Sequence, residues 1–293
     1  MSGGPDSLAL LLLAHAAMPG AIAAATVDHG LRPESASEVA MVGQVCARLG
    51  IHHDTLRVEL ARGNVQDAAR QARYAALESW ALGRGLDALA TAHHADDQAE
   101  TLVMRLNRGS GVSGLAGVRA TTRVPGGDLP LLRPLLGWRR AELAAVVQAA
   151  GLEPAHDPSN RDERFDRVRI RRALADADWL DPLALSRSAD HLADADDALR
   201  WAAEREWAER VEERKDKSRR GYLYRPQAPR AVRLRVLARA IGLLGGAPRG
   251  SAVAALDDAL MRGASGNCGG AAARCAEGGW LIVPEPPRSA AQG

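Results

Sequence analysis

Apolar and polar positions keep two rhythms over the first 120 residues. A run of apolar residues, LALLLLAHAAM, follows a glycine turn at residues 2–7 and predicts a helix. Residues 21–30, AIAAATVDHG, read as a strand with a polar end. Residues 33–50 predict a helix with Pro33 near its start and Gly50 after its end. Residues 51–60 predict a second strand, and residues 63–85 a helix with Asn64 as N-cap and Asp67 three positions on. A third strand at 86–94 and a third helix at 96–109 complete the series. This βαβα order predicts an α/β fold, a parallel sheet with helices on both faces. Ligands bind such sheets beyond the carboxyl ends of the strands, where VDHG and TAHHADD fall. Residues 118–137 predict a hairpin turning at Gly126–Gly127, followed by a helix from Trp138. PAHDPSN at 154–160 breaks the pattern, and beyond it the chain reads as mainly helical, ending in a small β piece and a loose tail. These rhythms predict two domains, 1–178 and a smaller one at 179–293.

Composition narrows the class. The chain has 293 residues and is 46% hydrophobic, but only 3% aromatic, so its core is built from Ala, Leu and Val. No apolar run reaches the length of a membrane span, and the first lacks a basic leader, so a soluble, cytoplasmic protein is expected. Cys46, Cys268 and Cys275 are widely spaced and form no C-x-x-C, which points to reduced thiols without a zinc or iron–sulfur site. Net charge is +2, but Lys215 and Lys217 are the only lysines. The positive charge is therefore almost all arginine, which suits phosphate forks and base stacking.

The turn SGGPDS carries the first candidate chemistry. Gly3 and Gly4 permit positive φ and close approach of a ligand, and Pro5 suits a first helical position. Free N–H groups there form an anion nest, reinforced by the helix dipole. Ser2 and Ser7 add hydroxyls. With no G-K-[ST] and no G-x-G-x-x-G, the remaining reading is a pyrophosphatase-type loop for ATP. Asp6 fits beside phosphates if Mg²⁺ is near, since that ion takes one or two carboxylates plus phosphate oxygens.

TAHHADDQAETLVMRLNRGSG is the densest polar stretch. On a helix from about Asp96, Asp97, Thr101, Arg105 and Arg108 share one face, and Ala99, Leu102, Val103 and Leu106 the opposite one. His93 and His94 precede it, open to hydrogen-bonding, acid–base, metal or structural roles. Asp28 and His29 end the first strand, beside the turn.

SGGPDS, VDHGLR, NVQDAARQARY, AHHADDQAETLVMRLNRGSG, RPLL and DPSN, in this order over residues 2–172, resemble bacterial tRNA(Ile)-lysidine synthetases. The resemblance implies an adenine nucleotide α-hydrolase-like fold of the PP-loop type. It implies a ligase that uses ATP to adenylate C2 of the wobble cytidine in the CAU anticodon of tRNA(Ile), releasing pyrophosphate. L-lysine then displaces AMP to give lysidine. The expected ligands are ATP and Mg²⁺, with Asp6 as a metal ligand and Ser2, Gly3, Gly4, Pro5, Asp6 and Ser7 on phosphate. Asp6, Asp28, His93, Asp97 and Arg105 are the expected catalytic group, and Arg70, Arg73, Arg108, Arg169 and Arg171 the expected tRNA contacts. The incoming amine has a pKa of about 10.4 and must lose a proton, for which Asp28, His93, His94 and Asp97 remain open as the base. The target base must leave the anticodon stack to be reached.

Residues 156–172 hold Arg161, Arg164, Arg167, Arg169, Arg171 and Arg172, an expected tRNA surface rather than only a solvated face. Val168 departs from the family pattern, which carries Asn there. Sulfur transferases share the loop but pair cysteines for a cluster, GMP and NAD synthetases lack the DPSN segment, and an inactive RNA-binding module is the non-enzymatic rival. Relatives also carry an apolar strand before the loop, where Met1 takes the last position; the expectation is a reading frame that begins upstream, with truncation as the alternative.

Overall fold

The computed structural model describes residues 1–28, 35–58, 65–155, 164, 166–216 and 219–285. His29, Pro33, Asn64, Arg161 and the DPSN segment lie outside the described residues. The chain divides into two compact units, residues 1–193 and 194–293.

In the first unit, α1 (Pro5–Ala17) starts directly from the glycine turn and buries Leu8, Ala9 and Leu11. It packs on α6 (Arg140–Ala149). Leu8 and Leu143 are both wholly buried there, in a core shared with Val42, Val45 and Cys46 of α2 (Ser35–Arg48). Truncating Leu143 to Ala would cost about 2–5 kcal/mol. Strand β1 (Ala23–Asp28) pairs in parallel with β2 (His52–Arg57), from Ala23 opposite His52 to Asp28 opposite Arg57. The Met1 ammonium donates to the Ala25 carbonyl of β1.

The second sheet of this unit has the order β3-β5-β4. Strand β3 is only Leu89–Ala90, shorter than residues 86–94 suggest, and it runs parallel to β5 (Pro130–Leu132). Strand β4 (Thr121–Arg123) and β5 form the expected hairpin, with Gly126 in its turn at φ 82°. Tyr74 of α3 (Val65–Gly83), Leu89, Val124, Leu129 and Leu131 pack beneath it. Helix α4 (Ala95–Asn107) leads to the short α5 (Val112–Leu115). Helix α6 begins at Arg140 rather than Trp138, because Glu142 closes a box onto the Arg139 N–H at 2.7 Å. The arginine-rich segment forms α7 (Asp166–Asp176), against α4.

Helix α8 (Pro182–Arg210) contains the division between the units. The second unit adds α9 (Arg230–Leu243), α10 (Gly250–Met261) and a five-stranded antiparallel sheet. Its order is β6 (Val211–Asp216), β7 (Arg219–Tyr224), β10 (Gly279–Pro284), β9 (Ala271–Ala276) and β8 (Gly266–Cys268). The β portion is thus larger than the small end expected. The charged stretch 211–216 looked helical in continuation of α8, but it pairs with β7 along its length, Val211 opposite Tyr224. Tyr222, Leu223 and Tyr224 of that partner are buried, so tertiary packing overrides local propensity.

Candidate active site at the glycine turn

Gly3 adopts φ 73°, and a Cβ there would come within 2.9 Å of Met41 and 3.3 Å of Ala155, so only glycine fits. Its carbonyl accepts from the Ala155 N–H at 2.9 Å. Gly4 is the N-cap of α1 in extended conformation and makes no side-chain cap bond, with Pro5 at the first helical position. The N–H groups of the first turn therefore point out as an anion site. Ser2 and Ser7 join hydroxyls at 3.1 Å across its mouth, and Ser7 Oγ donates to the Gly4 carbonyl at 3.0 Å.

Helix α4 starts beside this turn. His94 is its N-cap: Nδ1 accepts from the Asp97 N–H at 3.4 Å, while Asp97 Oδ2 accepts from the His94 N–H at 3.2 Å. Its Nε2 is wholly buried and makes no hydrogen bond, 3.5 Å from Asp6 Oδ2 and 3.6 Å from Asp97 Oδ2. Asp6 Oδ1 is also buried, with no hydrogen-bond partner. Burial pushes the Asp6 carboxyl up, but the adjacent His94 ring and the charges of Arg140 and Arg171 outweigh it, so its pKa lies below the ordinary value. His93, one residue earlier, bonds Thr91 Oγ1 at 3.0 Å. Burial lowers its pKa to about 4 against the pull of Asp97, with Arg133, Arg167 and Arg70 adding to the depression, so it is neutral at pH 7.

A buried carboxylate supports the cluster. Glu100 is 1% exposed and takes Arg167 Nε and Arg171 Nε at 2.7 Å each, and Arg140 at 3.3 Å. Arg167 reaches on to Asp97 Oδ1 at 2.7 Å. Burial raises the Glu100 carboxyl, and the bonds from Arg171 and Arg167 more than reverse that. Two arginines of α7, four positions apart, thus tie α7 to the acidic face of α4.

A PP-loop domain model matches residues 1–177. The tRNA(Ile)-lysidine synthase of Novosphingobium aromaticivorans is 52% identical over 291 residues, covering 98% of this chain and 88% of that protein. The chain belongs to the tRNA(Ile)-lysidine synthase family. The tRNA(Ile)-lysidine synthase of Zymomonas mobilis is 40% identical over 269 residues, 90% of this chain and 80% of that one. Among solved structures, the U34-tRNA thiolase NcsA from Methanococcus maripaludis aligns with a TM-score of 0.56 at 17% identity, over 66% of this chain and 69% of that one. That likeness extends to the fold.

Within this lysidine synthase family member, the expected site residues fall into separate groups. Asp6, His94 and Asp97 come together at the turn, with His93 beside them. Asp28 ends β1 and lines a cleft of about 580 Å³ with Val39, Thr55 and Arg57. Arg105 points elsewhere: its Nη1 donates to the Gly114 carbonyl, and to the Gly117 carbonyl at 3.3 Å, holding the segment around α5. Arg70 and Arg73 lie 5.1 and 5.3 Å from the Tyr74 ring centroid. Arg108 and Arg169 are exposed and share Asp166, with Arg108 at 3.2 Å. Arg171 turns inward to Glu100.

Leu106, expected on the packed face of α4, is 54% exposed, and that face is instead Ala95, Gln98, Ala99, Glu100 and Leu102. The missed residues are Glu100 and Gln98. Gln98 exchanges two bonds with Val118, at 2.7 and 2.9 Å. The available signal for Glu100 was its place one turn after Asp97, matched by the four-residue spacing of Arg167 and Arg171.

Proposed function

We propose that this protein ligates L-lysine to C2 of the wobble cytidine of tRNA(Ile) with the CAU anticodon, by ATP-dependent adenylation and displacement of AMP. What carries this reading is the 52% identity to a tRNA(Ile)-lysidine synthase over nearly the whole chain. The geometry supports it. The glycine turn presents free N–H groups and the hydroxyls of Ser2 and Ser7 to the departing pyrophosphate. Ser2, Gly3, Gly4, Pro5, Asp6 and Ser7 make up this cradle. Residues 1–178 carry catalysis and residues 179–293 serve tRNA binding.

The unpartnered buried Asp6 Oδ1 fits one carboxylate ligand of Mg²⁺. Such an ion supplies charge neutralisation at the α-phosphate. His94 caps the helix of Asp97 through Nδ1 and its own N–H, and sets its buried Nε2 between the Asp6 and Asp97 carboxylates. Arg167 fixes the Asp97 carboxylate near the turn, where it is placed to take a proton from the lysine ammonium. Neutral His93 and Asp28 are the other proton acceptors at the strand ends. Arg70, Arg73, Arg108 and Arg169 are the proposed tRNA contacts. Arg105 and Arg171 act in positioning, through the α5 carbonyls and Glu100.

No helix of the described residues is long and apolar enough to cross a membrane, and the proposed setting is the cytoplasm, with the tRNA pool. Incubation with ATP, lysine and CAU-anticodon tRNA(Ile), then nucleoside mass spectrometry, tests the reading. Lysidine is expected; thiocytidine or an unchanged nucleoside would overturn it.

A further inference from the structure

Arg133 differs from the other buried charges of its unit. It is 7% exposed, yet no carboxylate lies within ion-pair distance of it among the described residues. Its Nη1 donates to the Arg119 carbonyl at 2.6 Å and to Thr122 Oγ1 at 3.1 Å. Its Nε is buried with no partner at all. Glu100, by contrast, is matched by arginines on three sides. Burying a guanidinium without an anion is costly, and charges in that position ordinarily pair.

Its location is functional. Arg133 follows β5, and β5 runs parallel to β3, where the Thr91 N–H bonds the Leu132 carbonyl at 2.9 Å. Arg133 therefore stands at the carboxyl end of its strand, level with the segment that leads to His93. Arg70, exposed on α3, has its guanidinium 5.1 Å from the Tyr74 ring centroid and no ion pair among the described residues. Arg70 and Tyr74 both act electrostatically on Arg133, and Arg70 and Arg133 both act on His93. Tyr74, on whose ring Arg70 lies, packs with Leu131 of β5 two residues before Arg133, so an exposed and a buried cation stand on adjoining elements, with no ion pair to a carboxylate among the described residues.

We propose that Arg133 and Arg70 form a second phosphate-binding point, built on β5 and α3 rather than on the glycine turn, which takes a phosphate oxygen of a substrate. Buried Arg133 supplies a fixed donor and Arg70 the exposed arm, so that one phosphate group is gripped from two sides. The phosphate is either a tRNA phosphodiester or part of the nucleotide. The assignment rests on the lysidine synthase reading and names a further contact within it.

The test uses the full-length protein and Arg70→Ala, Arg133→Met and Arg133→Lys. ATP affinity is measured by calorimetry, and tRNA affinity as a function of salt. For a tRNA phosphodiester, Arg70→Ala and Arg133→Met each weaken tRNA binding about 10-fold and reduce the log–log salt slope by about 1, with ATP affinity unchanged. For a nucleotide phosphate, ATP binding weakens about 10-fold and the salt slope stays. In both cases Arg133→Lys recovers part of the loss. If folded variants keep both affinities and the slope, Arg133 only ties the 119–122 segment to β5, and the proposal is overturned. Should Arg133→Met fail to fold, Arg70→Ala decides, since that exposed side chain has no ion pair to lose. Wild-type protein that makes no lysidine would remove the functional reading, whereas the two binding measurements judge the phosphate point by themselves.

Discussion

Arg167 Nη2 lies 2.7 Å from Asp97 Oδ1, while the Nε of the same guanidinium holds buried Glu100 at 2.7 Å. The Asp97 carboxylate is thus fixed by a fork whose other prong is anchored in the interior. Asp97→Asn keeps the shape and the helix cap but removes the charge. We expect lysidine formation to fall at least 100-fold with little change in melting temperature. Single-turnover product analysis beside thermal unfolding checks this, and near-normal turnover by the folded variant would exclude Asp97 from the chemistry.

Glu100→Gln acts differently. It leaves three partly exposed arginines without their shared carboxylate, and is expected to cost about 2–4 kcal/mol of stability. Urea unfolding measures that loss. Activity should fall too, because Arg167 then loses the anchor that fixes it on Asp97.

His93 supplies a pH signature. Its pKa is lowered from 6.5 to about 4 by burial, so the unfolded chain binds a proton between these values that the folded protein does not. Stability from this group is complete above pH 6.5 and is lost as pH falls towards 4. The His93→Gln variant should show a flatter stability profile in that window. Imidazole NMR titration of the wild-type protein should place the His93 midpoint near 4, and a midpoint near 6.5 would contradict the burial argument.

Two of the arginines expected to contact tRNA, Arg169 and Arg171, should separate. Arg169 is 65% exposed and pairs with exposed Asp166, whereas Arg171 is spent on Glu100. Arg169→Ala should lower tRNA affinity and reduce its salt slope by about 1, leaving the melting temperature alone. Arg171→Ala should lower the melting temperature, with a much smaller change in slope. Filter binding across a salt series distinguishes the pair.

The βα alternation and the glycine turn were legible because each element carries its own periodicity and stop signals. The pairing of the turn with the HHADD helix was legible because strand ends of a parallel sheet share one edge. Glu100 was not, since a glutamate on an amphipathic helix reads as solvated until its arginine partners, some 70 residues away, are placed. Arg105 was misleading for the reverse reason: a cation on the polar face suggests phosphate, but the carbonyls around α5 claim it. The charged strand β6 was hidden because its six residues carry helix-compatible side chains, and only β7 makes it a strand.

The bond from the Ala155 N–H to the Gly3 carbonyl links the two ends of nearly the whole α/β unit. Loop-closure entropy for so long a span grows only slowly with length, roughly as (3/2)RT ln n, so the contact is affordable once the intervening helices have docked. It also means that the proposed phosphate cradle is a non-local structure, dependent on long-range contacts rather than on its own six residues. A peptide of the turn and α1 would lack it. We therefore expect the turn to take this conformation only once residue 155 has docked against residue 3.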